Sequence, residues 1–253
     1  MRTVRDWFFS LLTVTAFGTT LVVFDIAGRV ALWFGLRPFE WVMAGLQSSL
    51  LVVFKISHVR FDVEGLDGFD STGGYLFISN HQSMYDIPIF GGILTKNFPK
   101  YVAKKSLAKG IPSISLNLRR GANALIDRGD KAQAIDAIRE MARECQRRDV
   151  AAVIFPEGTR SRDGSLGTYR VTGVAALMEG APDLAIIPTV IDGSWKVFAN
   201  NMFPIPYGTH VRVKFGEPIP RTSDEDPDEV VERCRRWATE QLASWHQSDE
   251  TPA

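Results

Sequence analysis

The sequence predicts an α/β fold: a mixed, mostly parallel sheet flanked by helices, preceded by an N-terminal membrane-associated helical hairpin. Three observations lead there. Two charge-poor apolar stretches, 7–24 and 41–54, crowd the start of a chain whose mean hydropathy is only −0.03. From residue 55 onward, short apolar or alternating runs take turns with segments of helical period, as strands and helices packed in layers do. The 253 residues, 45% apolar and 23% charged, form an ordinary globular composition that can bury one substantial core.

Residues 7–24 carry no charge in 18 positions. At 1.5 Å per residue that is about 27 Å of helix, close to a hydrocarbon core of about 30 Å. The second stretch, 41–54, is shorter and is separated from the first by Asp25, Arg29, Arg37-Pro38 and Glu40. A hairpin dipping into one leaflet therefore competes with two true spans. Trp7, Trp33 and Trp41 lie near the ends of these segments, where indole rings favour the headgroup region. Two other readings of the stretch are a secretory signal, since Arg2 and Arg5 precede it, and a pair of buried core helices. No small-residue cleavage site follows cleanly and a second apolar segment does, so membrane attachment is the better reading.

Residues 59–63 alternate with period two before Glu64-Gly65, as a strand does. Residues 75–79 form a short apolar run after Gly73-Gly74, and 98–103 and 122–126 are further strand candidates. Asp130 is placed to cap a helix over 130–148 whose Ala132, Ile135, Ile138, Met141, Ala142 and Cys145 recur at three or four. Residues 150–155 read as a central strand, 173–178 as a helix, and 184–191 and 210–215 as strands. A closing amphipathic helix over 226–245 turns Val230, Val231, Cys234, Trp237 and Leu242 inward. The predicted organisation is a membrane-associated segment over 1–56, an α/β domain over 57–246 and a frayed tail over 247–253.

Composition excludes several functions. The 29 basic and 29 acidic side chains leave no net charge, which speaks against a general nucleic-acid binder. Two cysteines rule out a disulfide scaffold and fit a reducing, cytoplasmic setting, and the four histidines are too scattered for a zinc motif. There is no Gly-x-Ser-x-Gly elbow, no phosphate-binding glycine loop and no dinucleotide fingerprint.

Three constellations carry chemistry. Asn80-His81-Gln82-Ser83-Met84-Tyr85-Asp86 follows the strand at 75–79. Histidine exchanges a proton near neutral pH, and a carboxylate on its second nitrogen fixes the tautomer and supports the imidazolium. Five residues is a poor helical spacing for that pair, so a turn entering a helix has to fold Asp86 back. Taken alone, the spacing fits a capping or packed histidine equally well. Phe155-Pro156-Glu157-Gly158-Thr159-Arg160-Ser161 ends the strand at 150–155, where α/β sheets bind ligands. Arg160 offers bidentate donors suited to phosphate, while a solvated turn with a Glu157–Arg160 surface pair is the plain alternative. Between Asp86 and Asp127 lie Lys96, Lys100, Lys104, Lys105, Lys109, Arg119 and Arg120 with no acid, either a solvated face or an attractor for anionic substrate or headgroups. A His–Asp pair without an evident protein nucleophile leaves the substrate to bring one, a hydroxyl.

These residues resemble the glycerolipid acyltransferases, specifically the 1-acylglycerol-3-phosphate O-acyltransferases. The resemblance rests on Asn80-His81 with Asp86, then Phe155 to Ser161 in order, and covers about residues 58–220. Gly121 to Arg128 is similar to the family's second block, whose arginine, here Arg128, contacts phosphate. Ile186-Ile187-Pro188-Thr189-Val190 is similar to its fourth, with Thr189 where valine is commoner. Ala103-Lys104-Lys105-Ser106-Leu107 resembles a segment in which a lysine assists phosphate binding.

The resemblance implies that residues 57–246 are an acyltransferase catalytic domain with His81 as general base and Asp86 as its support. Arg160, Arg128 and Lys104 or Lys105 would hold the phosphate of lysophosphatidate. Glu157 would bind glycerol or orient Arg160, with Gly158 and Thr159 beside the substrate and oxyanion donors among the backbone N–H groups near His81 or Gly158. It implies acyl-CoA or acyl-carrier protein as co-substrate, no metal or other cofactor, membrane lipids as partners and no nucleic acid. The location implied is the cytoplasmic face of a membrane, the inner one in a bacterium. The alternatives are an acceptor such as lyso-ornithine lipid, lysophosphatidylcholine or glycerol-3-phosphate, or a non-catalytic membrane-surface binding protein.

Overall fold

The structure is a computed structural model that describes residues 3–200, 203–221 and 225–250. Helix α1 (Val4–Ala31) and helix α2 (Leu36–Phe54) form the hairpin, joined by a short 3-10 turn and Gly35, whose φ of 109° reverses the chain. The α/β part follows as β1 (Arg60–Glu64), β2 (Leu76–Ser79), α3 (Asp86–Ile93), β3 (Lys100–Lys104), α4 (Ile114–Arg120), β4 (Ala124–Ile126) and α5 (Lys131–Arg148). It continues through β5 (Ala152–Ile154), α6 (Val171–Gly180), β6 (Ile186–Asp192), α7 (Ser194–Val197), β7 (His210–Phe215) and α8 (Pro227–Glu250).

The strands form one sheet in the order β1-β7-β6-β2-β5-β3-β4, parallel throughout except where β6 meets β7. Successive side chains of a strand point to opposite faces. Accordingly, Leu76, Ile78, Ala152 and Ile154 pack with Met141, Cys145, Leu177 and Cys234 from α5, α6 and α8 on one face. Phe77, Val153, Ile187 and Val213 pack with Phe54, Ile89 and Phe90 from α2 and α3 on the other. Both faces are covered, which is why β2, β5 and β6 read as unbroken apolar runs. Asp130 caps α5 as its sequence indicates, accepting from the Gln133 N–H at 3.0 Å.

The structure departs from the sequence reading in four places. Helix α1 runs straight through Asp25 and Arg29, because the two close an i,i+4 pair at 2.7 Å and Asp25 also accepts from the Ser113 N–H at 2.7 Å. Helix α2 begins at Leu36 and is correspondingly longer than the stretch 41–54. Helices α3 and α4 are short: the first is the helix expected after the turn at His81, to which the sequence reading gave no range, and the second lies in a stretch it left unassigned. Helix α8 continues to Glu250, so 247–250 belongs to the helix rather than to a tail, while 251–253 lies outside the described residues.

Helices α1 and α2 are both long and apolar enough to cross a membrane, by length and composition. Only 17% of the most apolar window of α1 is buried, so α1 is not a core helix. Its Phe8, Leu11, Val23 and Ile26 face outward, and Trp33 and Phe34 stand free at the hairpin tip. An outward apolar surface of this kind is what a lipid environment accepts. Inward contacts are polar as well as apolar: Thr13 bonds Ser57 at 2.7 Å, and Ser10 accepts from the Ile205 N–H at 2.8 Å.

Glu40 of α2 links the hairpin to the sheet through buried charges. It is 3% exposed and pairs with Lys100 of β3 and with Arg148 at the end of α5. Lys100 therefore does not belong to a solvated basic face. Removing one member of a buried ion cluster leaves its partners uncompensated, at a cost of about 3–5 kcal/mol. Glu40→Ala is expected to lose that much stability in urea unfolding in detergent micelles, and a loss below about 1 kcal/mol would show the cluster to be incidental.

Candidate active site

The site is built at the carboxyl ends of the parallel strands. Asn80, the first residue beyond β2, is pinned to β6: its Nδ2 donates to the Ile191 carbonyl and its Oδ1 accepts from the Ile191 N–H, both at 2.8 Å. This pair of hydrogen bonds fixes where the next residue, His81, leaves the sheet. The chain then turns, with the Asp86 N–H donating to the Ser83 carbonyl at 3.2 Å, and enters α3 with Asp86 in its first turn. The turn brings back the carboxylate that helical spacing would have carried away.

His81 Nδ1 lies 2.8 Å from Asp86 Oδ2. An ionised carboxylate only accepts, so this contact places a proton on Nδ1, and in the neutral ring the lone pair is then on Nε2. The ring is stacked on Phe155, 4.1 Å between centroids and 16° between planes, and its side chain is 17% exposed. Asp86 is wholly buried, and its Oδ2 also accepts from the N–H groups of Gln82 at 2.8 Å and Ser83 at 2.9 Å. Its Oδ1 accepts from Ser194 Oγ at 2.6 Å.

The β5 loop holds the backbone of His81 from the other side. Glu157, 4% exposed, accepts from the His81 N–H at 3.1 Å, and the Ser161 N–H donates to the His81 carbonyl at 2.8 Å. Gly167 lies so close that a Cβ there would stand 2.7 Å from Glu157 Oε2. Burial raises the Glu157 carboxyl above its usual range, against the lowering effect of the His81 N–H. Among the described residues Glu157 forms no ion pair with Arg160; a buried carboxylate needs donors, and backbone N–H groups, that of His81 among them, supply them. Of the backbone N–H groups in this region, those of His81 and Gly158 are themselves engaged, the first by Glu157 and the second by the Phe155 carbonyl at 3.1 Å.

The cations lie along the same edge. Lys104 ends β3 and Lys105 follows it, Arg128 stands just past β4, and Arg160 lies in the loop after β5 with Gly158 and Thr159. All are exposed, and none of these four cations forms an ion pair among the described residues. Strands lie about 4.8 Å apart, so the order β2-β5-β3-β4 spreads them over about 10 Å, on one side of the strand that carries His81. The structure brings His81, Asp86 and Glu157 into direct contact and sets the cations beside them as a separate group. The sequence reading assigned no part to Ser194, and the only cue was its place after the β6 strand. Cys145 and Cys234 are buried among apolar side chains, which pushes both thiols up to about 12 and leaves neither as a thiolate nucleophile.

A scan against protein families matches residues 60–192, more than half of the chain, to the family described as Acyltransferase. The chain belongs to the acyltransferase family. The 1-acyl-sn-glycerol-3-phosphate acyltransferase of Escherichia coli (strain K12) is 35% identical over 124 residues, 48% of this chain and 48% of that protein. The alpha form of the same enzyme from Mus musculus is 29% identical over 189 residues, 73% of this chain and 63% of that protein. The chain spans about half the length of the curated relatives it matches. The crystal structure of the 1-acyl-sn-glycerophosphate (LPA) acyltransferase PlsC from Thermotoga maritima superposes with a TM-score of 0.78 at 19% identity, covering 100% of both chains. At that identity the likeness establishes the acyltransferase fold, including the helical hairpin.

The raised Glu157 carboxyl has a thermodynamic consequence. A folded state that binds this proton more tightly than the unfolded chain loses stability as pH climbs from the model-peptide value of 4.5 through the higher folded value. Glu157→Gln keeps an acceptor for the His81 N–H and abolishes the titration. The variant should be more thermostable than the parent at pH 7.5, with the gap closing towards pH 4.5; a gap independent of pH would exclude the ionised carboxylate as its source.

Proposed function

We propose that the protein transfers an acyl chain from acyl-CoA or acyl-carrier protein to the free sn-2 hydroxyl of 1-acyl-glycerol-3-phosphate, giving phosphatidic acid. The observation that carries this reading is the His81–Asp86 dyad, with Nε2 open, beside a row of unpaired cations in an acyltransferase-family chain. The activity for which those relatives are named supports the choice of acceptor.

The acceptor hydroxyl donates its proton to His81 Nε2 as its oxygen attacks the thioester carbonyl carbon. The resulting tetrahedral intermediate collapses, the carbon–sulfur bond breaks, and the thiolate takes the proton back from the imidazolium. Asp86 stays ionised and supports that imidazolium without itself receiving the proton. Arg160, Arg128 and Lys104 or Lys105 hold the phosphate, with Thr159 and Gly158 beside it, so that the hydroxyl is presented at a fixed distance from Nε2. Glu157 serves by fixing the backbone of His81. The step as proposed uses no metal or cofactor. Both acceptor and product are membrane lipids, which gives the apolar hairpin its purpose; in this reading it anchors residues 1–56 and sets the catalytic domain at the cytoplasmic face.

The test is direct. The protein in mild detergent is given lysophosphatidate with palmitoyl- or oleoyl-CoA, or with acyl-carrier protein, and free thiol and phosphatidate are followed. His81→Ala should cost at least 10²-fold in kcat, as loss of a general base does. Acceptor-dependent turnover retained in that variant would remove His81 from the role. Arg160→Ala should raise KM for lysophosphatidate about tenfold and leave KM for the thioester within twofold. An unchanged acceptor KM would move the phosphate elsewhere. Salt-sensitive liposome binding with no thioester consumed from any donor would instead favour a binding protein.

A further inference from the structure

Asp86 is held by two sets of donors that come from different parts of the chain. Oδ2 takes three hydrogen bonds, all from the turn that contains it: His81 Nδ1, Gln82 N–H and Ser83 N–H. Oδ1 is reached by a side chain from 108 residues away, Ser194 Oγ, at 2.6 Å. Both residues are completely buried, and a hydroxyl at that distance from a carboxylate in a dry site is among the stronger hydrogen bonds a protein makes.

The placement of Ser194 is itself over-determined. Gly193, before it, has φ of +83°, and a Cβ there would stand 2.1 Å from the His210 carbonyl oxygen, so only glycine permits the turn out of β6. Two residues further back, Ile191 is the very residue that Asn80 grips through both its backbone groups at 2.8 Å. The chain thus measures the position of Ser194 from the same clamp that sets His81. Without Ser194, Asp86 keeps Oδ2 tethered but is free to swing Oδ1 about the bond to its carboxyl carbon. The plane of the carboxylate, and with it the direction of the imidazole, is then no longer defined.

We infer that Ser194 is a positioning residue for the acyl transfer, acting through Asp86 to aim His81 Nε2 at the acceptor hydroxyl. The inference rests on the function proposed above, yet its geometry can be read without turnover. Ser194→Ala should lower kcat about tenfold with both KM values within twofold. Ser194→Thr, which keeps the hydroxyl, should recover at least half of the rate. In an Asp86→Ala background the Ser194→Ala change should add nothing further, because the group it acts through is gone. In protein labelled with ¹⁵N-histidine, and assigned by the signal missing from His81→Ala, the His81 Nδ1–H resonance should move or be lost to exchange in Ser194→Ala. It should return in Ser194→Thr. Should the alanine variant not fold, Ser194→Cys, a weaker donor of similar size, replaces it in both measurements.

An unmoved resonance, an unchanged kcat, or an equal further loss in the Asp86→Ala background would each overturn the positioning role. A parent protein silent with every thioester and lysolipid would sink the proposed reaction instead, and the resonance would still decide whether Ser194 orients the dyad.

Discussion

A carboxylate taken wholly out of water must find its solvation inside the protein, and Asp86 obtains it from four donors. Together they commit three pieces of structure: the imidazole of His81, the backbone of the turn at Gln82 and Ser83, and the start of α7 at Ser194. The turn can form only if β2 ends where it does, and α7 can approach only if β6 lies beside β2 in the register that pairs Ser79 with Thr189. The buried charge therefore makes the strand order, the turn and the histidine tautomer mutually dependent. A failure in any of them leaves an unsatisfied anion in the interior.

The hairpin is tied to the same frame by a second buried charge. Glu40 leaves a mostly apolar helix to meet Lys100 and Arg148, and Lys100 opens the strand whose far end carries Lys104. Buried ion clusters of this kind contribute little net stability compared with apolar packing, but they tolerate only one arrangement. In this chain the arrangement fixes the outward apolar face of α1 relative to the sheet edge where His81 and the cations lie. A lipid acceptor bound at that edge would have its headgroup in the α/β part and its chains on the side of the hairpin, which is the geometry the proposed reaction needs.

The two halves of the site differ in how the chain builds them. The dyad is rigid because the groups that place it are paired: the His81 backbone with Glu157 and Ser161, and the ring with Asp86 through Nδ1 and with Phe155 by stacking. The cations are the reverse, long exposed side chains at successive strand ends that form no ion pair among the described residues. Preorganisation suits a proton transfer, in which a fraction of an ångström matters. Adaptable cations suit a headgroup that enters from a fluid surface.

Periodicity made the sheet legible before any coordinates: alternation at 59–63, apolar runs at 150–155 and 184–191, and the capped helix beginning at Asp130 all lie within a few residues of the observed elements. The chemistry of His81, Asp86 and the loop at Glu157 was legible too, since few other residue types exchange a proton or hold an anion. What sequence could not express was partnership across distance. That Glu157 would serve the His81 backbone rather than Arg160, that Lys100 would be buried against Glu40, and that Ser194 would reach Asp86 all depend on which strands lie side by side. Local pattern follows from each residue's own preference for helix, strand or water. Those long-range contacts follow from the order of the strands and from the rule that a buried charge must be paired, and only the folded chain brings the two together.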